Sequence, residues 1–107
     1  MREPLVIKYL LDTKASALYI SATDIINIAK KVDIHLHMSS REKLLSELLQ
    51  KSLTCKSIDR TYMHISLLID KTIKEYKSLH VRYPSAELAK LIQKATDTKN
   101  KIKKMQI

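Results

Sequence analysis

The chain has 107 residues and a formal net charge of +9, and it contains no glycine, tryptophan or phenylalanine. This is the usual length of one domain, so we predict a single helical domain over residues 1–107. Glycine supplies the positive φ angles of hairpin turns and phosphate-binding loops, so its absence argues against a hairpin-rich β fold, a P-loop or a dinucleotide-binding fingerprint. Without glycine, each helix should end on Asn, Asp or Ser, or before Pro.

The cysteine content and the N-terminus favour a cytoplasmic protein. Cys55 is the single cysteine, which excludes an intramolecular disulfide and fits a reducing compartment. The first 22 residues resemble a signal peptide, with Arg2 in front of an apolar stretch, but Lys8 and Asp12 interrupt that stretch. No apolar run approaches the length that spans a bilayer.

The positive charge is concentrated in the second half of the chain. Residues 1–50 carry seven Lys/Arg and six acids, a net of +1, whereas residues 51–107 carry thirteen and five, a net of +8. Such asymmetry suggests an anionic partner, which could be nucleic acid, a membrane surface or an acidic protein. Sixteen of the twenty basic residues are lysine, whereas proteins that read nucleic acids rely more on arginine.

The first two predicted helices cover the N-terminal third. One should run from about Pro4 to Ile20, with proline at a favourable first position and a possible break near Thr13. The next should open at Ser21, where Asp24 favours the helix N-terminus electrostatically. Its apolar face comprises Ile25, Ile26, Ile28, Ala29 and Val32.

An extended connector and a third helix should follow. Ile34, Leu36 and Met38 alternate with two histidines, so we expect the three apolar side chains to face the core and the histidines to face solvent. Ser39 and Glu42 have the spacing of a capping box that starts the third helix. The apolar face of that helix comprises Leu44, Leu45, Leu48, Leu49 and Leu53.

The longest helix is predicted from about Ile58 to Arg82. Ser57 or Asp59 should start it, and Pro84 should end it. A fifth helix then starts at a Ser85 cap, and the short joint predicts an antiparallel helical hairpin. The apolar face of the fourth helix comprises Tyr62, Ile65, Leu68 or Ile69, Ile73 or Thr72, Tyr76 and Leu79, and that of the fifth comprises Leu88, Leu91, Ala95, Thr98, Ile102 and Met105. The predicted fold is therefore an all-α, single-domain antiparallel bundle of four or five helices that ends in a long helical hairpin.

Metal and catalytic sites are not predicted. His35 and His37 could both reach one ion from an extended segment, with Cys55 and His64 folding back, but a structural zinc site normally has paired ligands at both ends. No nucleophile elbow or His–Glu–x–x–His motif is present, and no histidine adjoins the cysteine to act as its base. We expect no enzymatic activity, no cofactor and no small-molecule ligand.

Residues 23–49 have a helix, an extended connector and a second helix. In outline they resemble the helix–extended–helix modules of the SAP and Rho N-terminal type, which implies nucleic-acid binding. The matching residues are Ile25, Ile28, Ala29, Ile34, Leu44, Leu45 and Leu48. The segment departs from that pattern where the first helix should end in glycine and where a basic cluster should open the second. It also resembles a helix-turn-helix, but Asp33 occupies the usual glycine position and the connector is too long.

The two C-terminal helices carry the main cationic surface. Their outward lysines could merge into one patch that follows a phosphate backbone without reading sequence, although such a face is often only solvated. The candidate residues for this anion or nucleic-acid patch are Lys71, Lys74, Lys77, Arg82, Lys90, Lys94, Lys101 and Lys104.

Protein binding, self-association included, is the function that the sequence favours, with DNA or RNA binding as the alternative. Tyrosine and methionine are enriched at protein interfaces. The candidate partner contacts are Tyr62, Met63, Tyr76, Tyr83 and Met105. We do not expect a membrane-surface role for the C-terminal helix, because its apolar side is thin and lacks an aromatic anchor.

Overall fold

The computed structural model describes residues 7–8, 10–12 and 17–105, with Met105 as backbone only. It contains four helices with complete bounds, namely α1 (Ala22–Lys31), α2 (Arg41–Thr54), α3 (Ile58–Arg82) and α4 (Ala86–Met105). Residues 7–8 and 10–11 are also helical, and no strand occurs within the described ranges. The prediction of an all-α fold is confirmed, and the bounds of α3 are those predicted.

The segment before α1 differs from the prediction. A helix through Ile20 is wrong, because residues 17–20 are not helical and Ala17 has a φ of 60°. Leu18 and Ile20 are buried on either side of the exposed Tyr19, which is the alternation of an extended segment. The Tyr76 hydroxyl donates to the Ala17 carbonyl at 2.7 Å and so ties this segment to α3. The predicted helix start at Pro4 and the break near Thr13 lie outside the described residues.

The predicted start of α1 agrees with the structure, whereas that of α2 is off by one residue. At α1, Ser21 and Asp24 form a full capping box, with both backbone-to-side-chain hydrogen bonds at 3.0 Å. At α2 the predicted box of Ser39 with Glu42 is wrong by one residue, because the N-cap is Ser40, whose hydroxyl accepts from the backbone N–H of Lys43. With the N-cap at Ser40, Arg41 is the first residue of α2, and its side chain donates to the Ile20 carbonyl in the segment before α1.

Both α1 and α2 end in a Schellman motif without glycine. After α1, the N–H groups of Asp33 and Ile34 donate to carbonyls of the last turn, and Asp33 has a φ of 59°. After α2, Lys56 occupies the corresponding left-handed position with a φ of 57°, and Ser57 N–H donates to the Ser52 carbonyl at 2.8 Å. The expected ending holds at Asp33 and is wrong at Lys56, where a lysine takes the left-handed conformation despite the steric cost of its Cβ.

Lys56→Gly is expected to raise the free energy of unfolding by about 0.5–1 kcal/mol, because relief of the left-handed strain exceeds the extra chain entropy of glycine. Chemical denaturation followed by circular dichroism measures this change. Gln50→Gly, at an exposed interior position of α2, is the control and should lower stability by about 1 kcal/mol. Equal losses in both variants would contradict the left-handed assignment.

The core lies between the segment before α1 and all four helices. The most extensive interhelical contact is between α3 and α4, and α1, α2 and α3 also contact one another. Three residues predicted to face the core are instead exposed, Met38 at 70%, Leu53 at 47% and Leu79 at 46%. The largest fully buried side chains are Leu10, Leu18, Ile25, Leu44, Leu45, Leu48, Leu49, Ile65, Ile69, Ile102 and Thr61.

Candidate partner-binding surface

The five predicted partner contacts differ in their exposure to solvent. Tyr62 is 5% exposed and belongs to the core, so its prediction as a surface contact is wrong. Tyr76 is half-buried and its hydroxyl is hydrogen-bonded to Ala17. Met63 and Tyr83 are exposed, at 50% and 70%, and the side chain of Met105 lies outside the description. The helical spacing that suggested Tyr62 as an interface residue is the spacing that buries it.

A hollow of about 310 Å³ lies between α1 and α3. Its apolar part consists of Ile28 from α1 with Leu67 and Leu68 from α3. Leu67 is 54% exposed, and Met63, four residues earlier, lies on the same face of α3. We call these four residues the Leu67 surface. The lining as a whole comprises Asp24, Asn27, Ile28, Lys31, His64, Leu67, Leu68 and Lys71.

The charges around this hollow are mainly positive. Lys31 and Lys71 line it from α1 and α3, while the Asp24 carboxylate accepts the backbone N–H of Ser21. The pKa of His64 is lowered from its ordinary value by partial burial and by the nearby charges of Lys31 and Arg60. The lowered pKa favours the neutral form of the imidazole. The surface combines an exposed apolar centre with a cationic edge.

A second hollow, of about 400 Å³, lies on α3 and brings together three residues of the predicted anion patch. Lys71, Lys74 and Lys77 line it with Leu67, Asp70 and Ile73. Asp70 forms an ion pair with Lys99 of α4 at 2.8 Å, so its charge is already matched. None of these three lysines pairs with an acid within the described part of the chain. Leu67 thus borders two hollows, both edged by lysine.

The other residues of the predicted patch are exposed, but the described lining of this hollow comes from α3 alone. The stripe along α4 includes Asp97, which accepts a hydrogen bond from Gln93 at 3.0 Å. The merging of the two helices into one cationic face therefore stays a prediction. The remaining patch residues are Arg82, Lys90, Lys94, Lys101 and Lys104.

Sequence reasoning missed Leu67 because it assigned one apolar face to α3. Leu67, Leu68 and Ile69 are consecutive, and three successive helical positions span about 200° at 3.6 residues per turn. One buried face cannot cover that arc, so the run itself signals an exposed leucine. Exposure falls from 54% at Leu67 to 0% at Ile69.

The connector histidines point away from the core, as predicted. Ile34 and Leu36 are buried, while His35 and His37 are exposed with their rings edge to face and 5.0 Å between centroids. Lys51 donates to the His35 carbonyl at 3.1 Å and fixes the connector against α2. Within the residues described, no three His, Cys, Asp or Glu side chains are grouped so that they could hold a metal ion.

Comparison with known proteins yields no relative from which a function could be transferred. Within the described ranges, no helix has the length and apolar content needed to cross a membrane. No protein-family model, no curated protein and no solved structure matches this chain.

Proposed function

We propose that this protein is a non-catalytic helical module that binds an acidic amphipathic helix of another protein through the Leu67 surface. The observation that carries the proposal is the position of Leu67, a half-exposed leucine between two hollows edged by Lys31, Lys71 and Lys74. A helix with apolar residues every three or four positions would cover the leucine, and flanking carboxylates would meet the lysines.

The charge of the molecule favours a different chain over a second copy as partner. With a net charge of +9, two copies would oppose each other electrostatically, whereas an acidic segment would be attracted. The exposed free Cys55 supports a cytoplasmic location.

We propose that the Leu67 surface is supported by an antiparallel hairpin of α3 and α4. Asp70 lies 12 residues before Arg82 (82 − 70), and Lys99 lies 13 residues after Ala86 (99 − 86), so their ion pair joins positions at nearly equal distances from the joint. Such a match supports helices that fold back on each other. The hairpin would hold α3 rigid, so that a partner would not have to order it.

Selection of short helical peptides from a displayed library tests the proposal. Enriched sequences should combine an apolar stripe with acidic flanks. Leu67→Ser should weaken their binding by about tenfold or more, which corresponds to the free energy of burying one leucine side chain. Leu53→Ser is the matched control, because that leucine is exposed to a similar degree on α2. Peptides that bind Leu67→Ser as tightly as the unaltered protein would refute this site.

Nucleic-acid binding is the second candidate, favoured by the convergence of Lys71, Lys74 and Lys77 on one hollow. Lys71→Glu with Lys74→Glu should weaken oligonucleotide binding and reduce its dependence on salt concentration. Lys30→Glu with Lys43→Glu makes the same change of charge at exposed positions elsewhere. Equal loss in both double variants would show that only net charge matters and would reject the α3 site. Leu67→Ser should leave oligonucleotide binding unchanged, which separates the two candidates.

A further inference from the structure

The end of the α3–α4 hairpin projects beyond the packed bundle. We define the hairpin end as residues 77–90, of which only His80 and Leu88 are partly covered. The last side chain of α3 packed against the core is Tyr76. The described molecule is elongated, measuring 44 Å along one axis and 24 and 21 Å along the others. The hairpin end is therefore bare on nearly every side.

Large apolar side chains are concentrated at this end. Leu79, Val81 and Tyr83 are 46%, 81% and 70% exposed, and Val81 is the most exposed large apolar residue of the described chain. A protein partner would need a matching cavity to cover such a convex tip, whereas the headgroup region of a bilayer can deform around it. Tyrosine is also a preferred residue at membrane–water interfaces. Tyr83 gives the hairpin end an aromatic residue of this kind.

The charges beside the tip complement an anionic surface. Lys77, Arg82 and Lys90 are exposed, and Glu87 is the acid within the hairpin end, which leaves a local charge of +2 (3 − 1). Each basic residue close to an acidic lipid surface adds to the attraction, so this local charge favours an anionic bilayer.

Hydrogen bonds hold the joint in one shape. The Tyr83 N–H donates to the Leu79 carbonyl at 2.7 Å, which closes the last turn of α3. The Ser85 N–H donates to Nδ1 of His80 at 3.3 Å, and the Leu88 N–H donates to the Ser85 hydroxyl at 3.0 Å. The apolar tip is thus presented without a further cost of ordering the chain.

We propose that the hairpin end docks on the surface of an anionic lipid bilayer, with Val81 and Tyr83 in the headgroup region and Arg82 against acidic headgroups. This contact uses residues separate from the Leu67 surface. A bound partner helix and a membrane could therefore be engaged at the same time, and the protein would hold its partner at the membrane.

Vesicle flotation tests this contact with phosphatidylcholine vesicles and with vesicles that also contain phosphatidylserine. The protein should bind the anionic vesicles much more strongly, and Val81→Ser with Tyr83→Ser should reduce that binding by about tenfold. Met38→Ser with Leu53→Ser, at exposed apolar positions elsewhere, is the control and should bind as the unaltered protein does. Circular dichroism of all variants checks that the fold is kept.

A second measurement reports directly on insertion. Tyr83→Trp should show a blue-shifted emission when anionic vesicles are added, whereas Tyr19→Trp, at a similarly exposed position, should not. The proposal is overturned if the protein does not bind anionic vesicles. It is also overturned if the serine variant and the control bind them equally, because binding would then depend only on the overall charge of the protein. It is also overturned if the hairpin-end substitutions abolish peptide binding while vesicle binding is unchanged. The effect of Leu67→Ser on peptide binding tests only the proposed function and has no bearing on the membrane contact.

Discussion

Leu48→Ala is expected to lower the free energy of unfolding by about 3 kcal/mol, within the range measured for leucine truncation in packed cores. Leu48 is fully buried at 0% exposure, on the face of α2 that belongs to the core cluster. Truncation removes apolar contacts and leaves a cavity that the surrounding helices can close only in part. A domain of this size is stabilised by about 5–15 kcal/mol in total, so the loss is a large share.

Leu53→Ala is the matched control for this substitution. Sequence periodicity placed both leucines on one apolar face, but Leu53 is 47% exposed at the last turn of α2. Its truncation should cost less than about 1 kcal/mol, as is usual for surface positions. Chemical denaturation monitored by circular dichroism measures both values. Equal losses would mean that α2 is rotated relative to the arrangement described.

The parts of the fold that follow from short-range rules were predicted well. The bounds of α3 are those predicted, with Pro84 two residues after Arg82, although the Ser57 hydroxyl at its start makes no capping hydrogen bond. The Ser85 cap is confirmed by its hydrogen bond from the Leu88 N–H. Each of these features depends on residues only a few positions apart, so the chain carries the information locally.

The parts that were mispredicted depend on contacts between distant residues. The segment at residues 17–20 has an apolar content that suits a helix, yet it is held in a non-helical conformation by partners far along the chain. Arg41 donates to the Ile20 carbonyl and lies 4.5 Å from the ring centre of Tyr19, and Tyr76 binds Ala17 across 59 positions. No local pattern encodes such contacts, and tertiary packing overrides helix propensity there.

The candidate surface was predictable in its charge but not in its apolar centre. Composition alone placed lysines outward on α3, since charged side chains are rarely buried without a partner. Which leucine is exposed depends instead on where α1 and α4 cover α3. Leu67 lies beside the hollow at α1, whereas Ile69 is covered completely. The function is therefore proposed from the arrangement of helices rather than from any motif.

One buried polar contact joins α2 to α3. Ser52 and Thr61 are both at 0% exposure, and their hydroxyl oxygens lie 2.6 Å apart. The Ser52 hydroxyl also donates to the Leu48 carbonyl at 2.6 Å. A serine hydroxyl has a single proton, so the Thr61 hydroxyl must be the donor in the contact between the two side chains. Ser52 is thus both donor and acceptor, and Thr61 depends on it.

This order of donation predicts an asymmetric response to substitution. Ser52→Ala should cost about 2 kcal/mol, because it leaves the Thr61 hydroxyl buried without its acceptor. Thr61→Val should cost about 1 kcal/mol or less, since the Ser52 hydroxyl still donates to the Leu48 carbonyl. The double variant should cost about 1 kcal/mol less than the sum of the two, because the stranded hydroxyl is gone.

A double-mutant cycle by chemical denaturation measures the coupling between these two side chains. Thr54→Val serves as the control, because its exposed hydroxyl also bonds a carbonyl one turn back and its loss should change stability little. Additive costs would mean that the Thr61 hydroxyl finds a backbone acceptor of its own. Coupling of the expected size would confirm that the two hydroxyls form one buried contact between α2 and α3, the helix that presents Leu67.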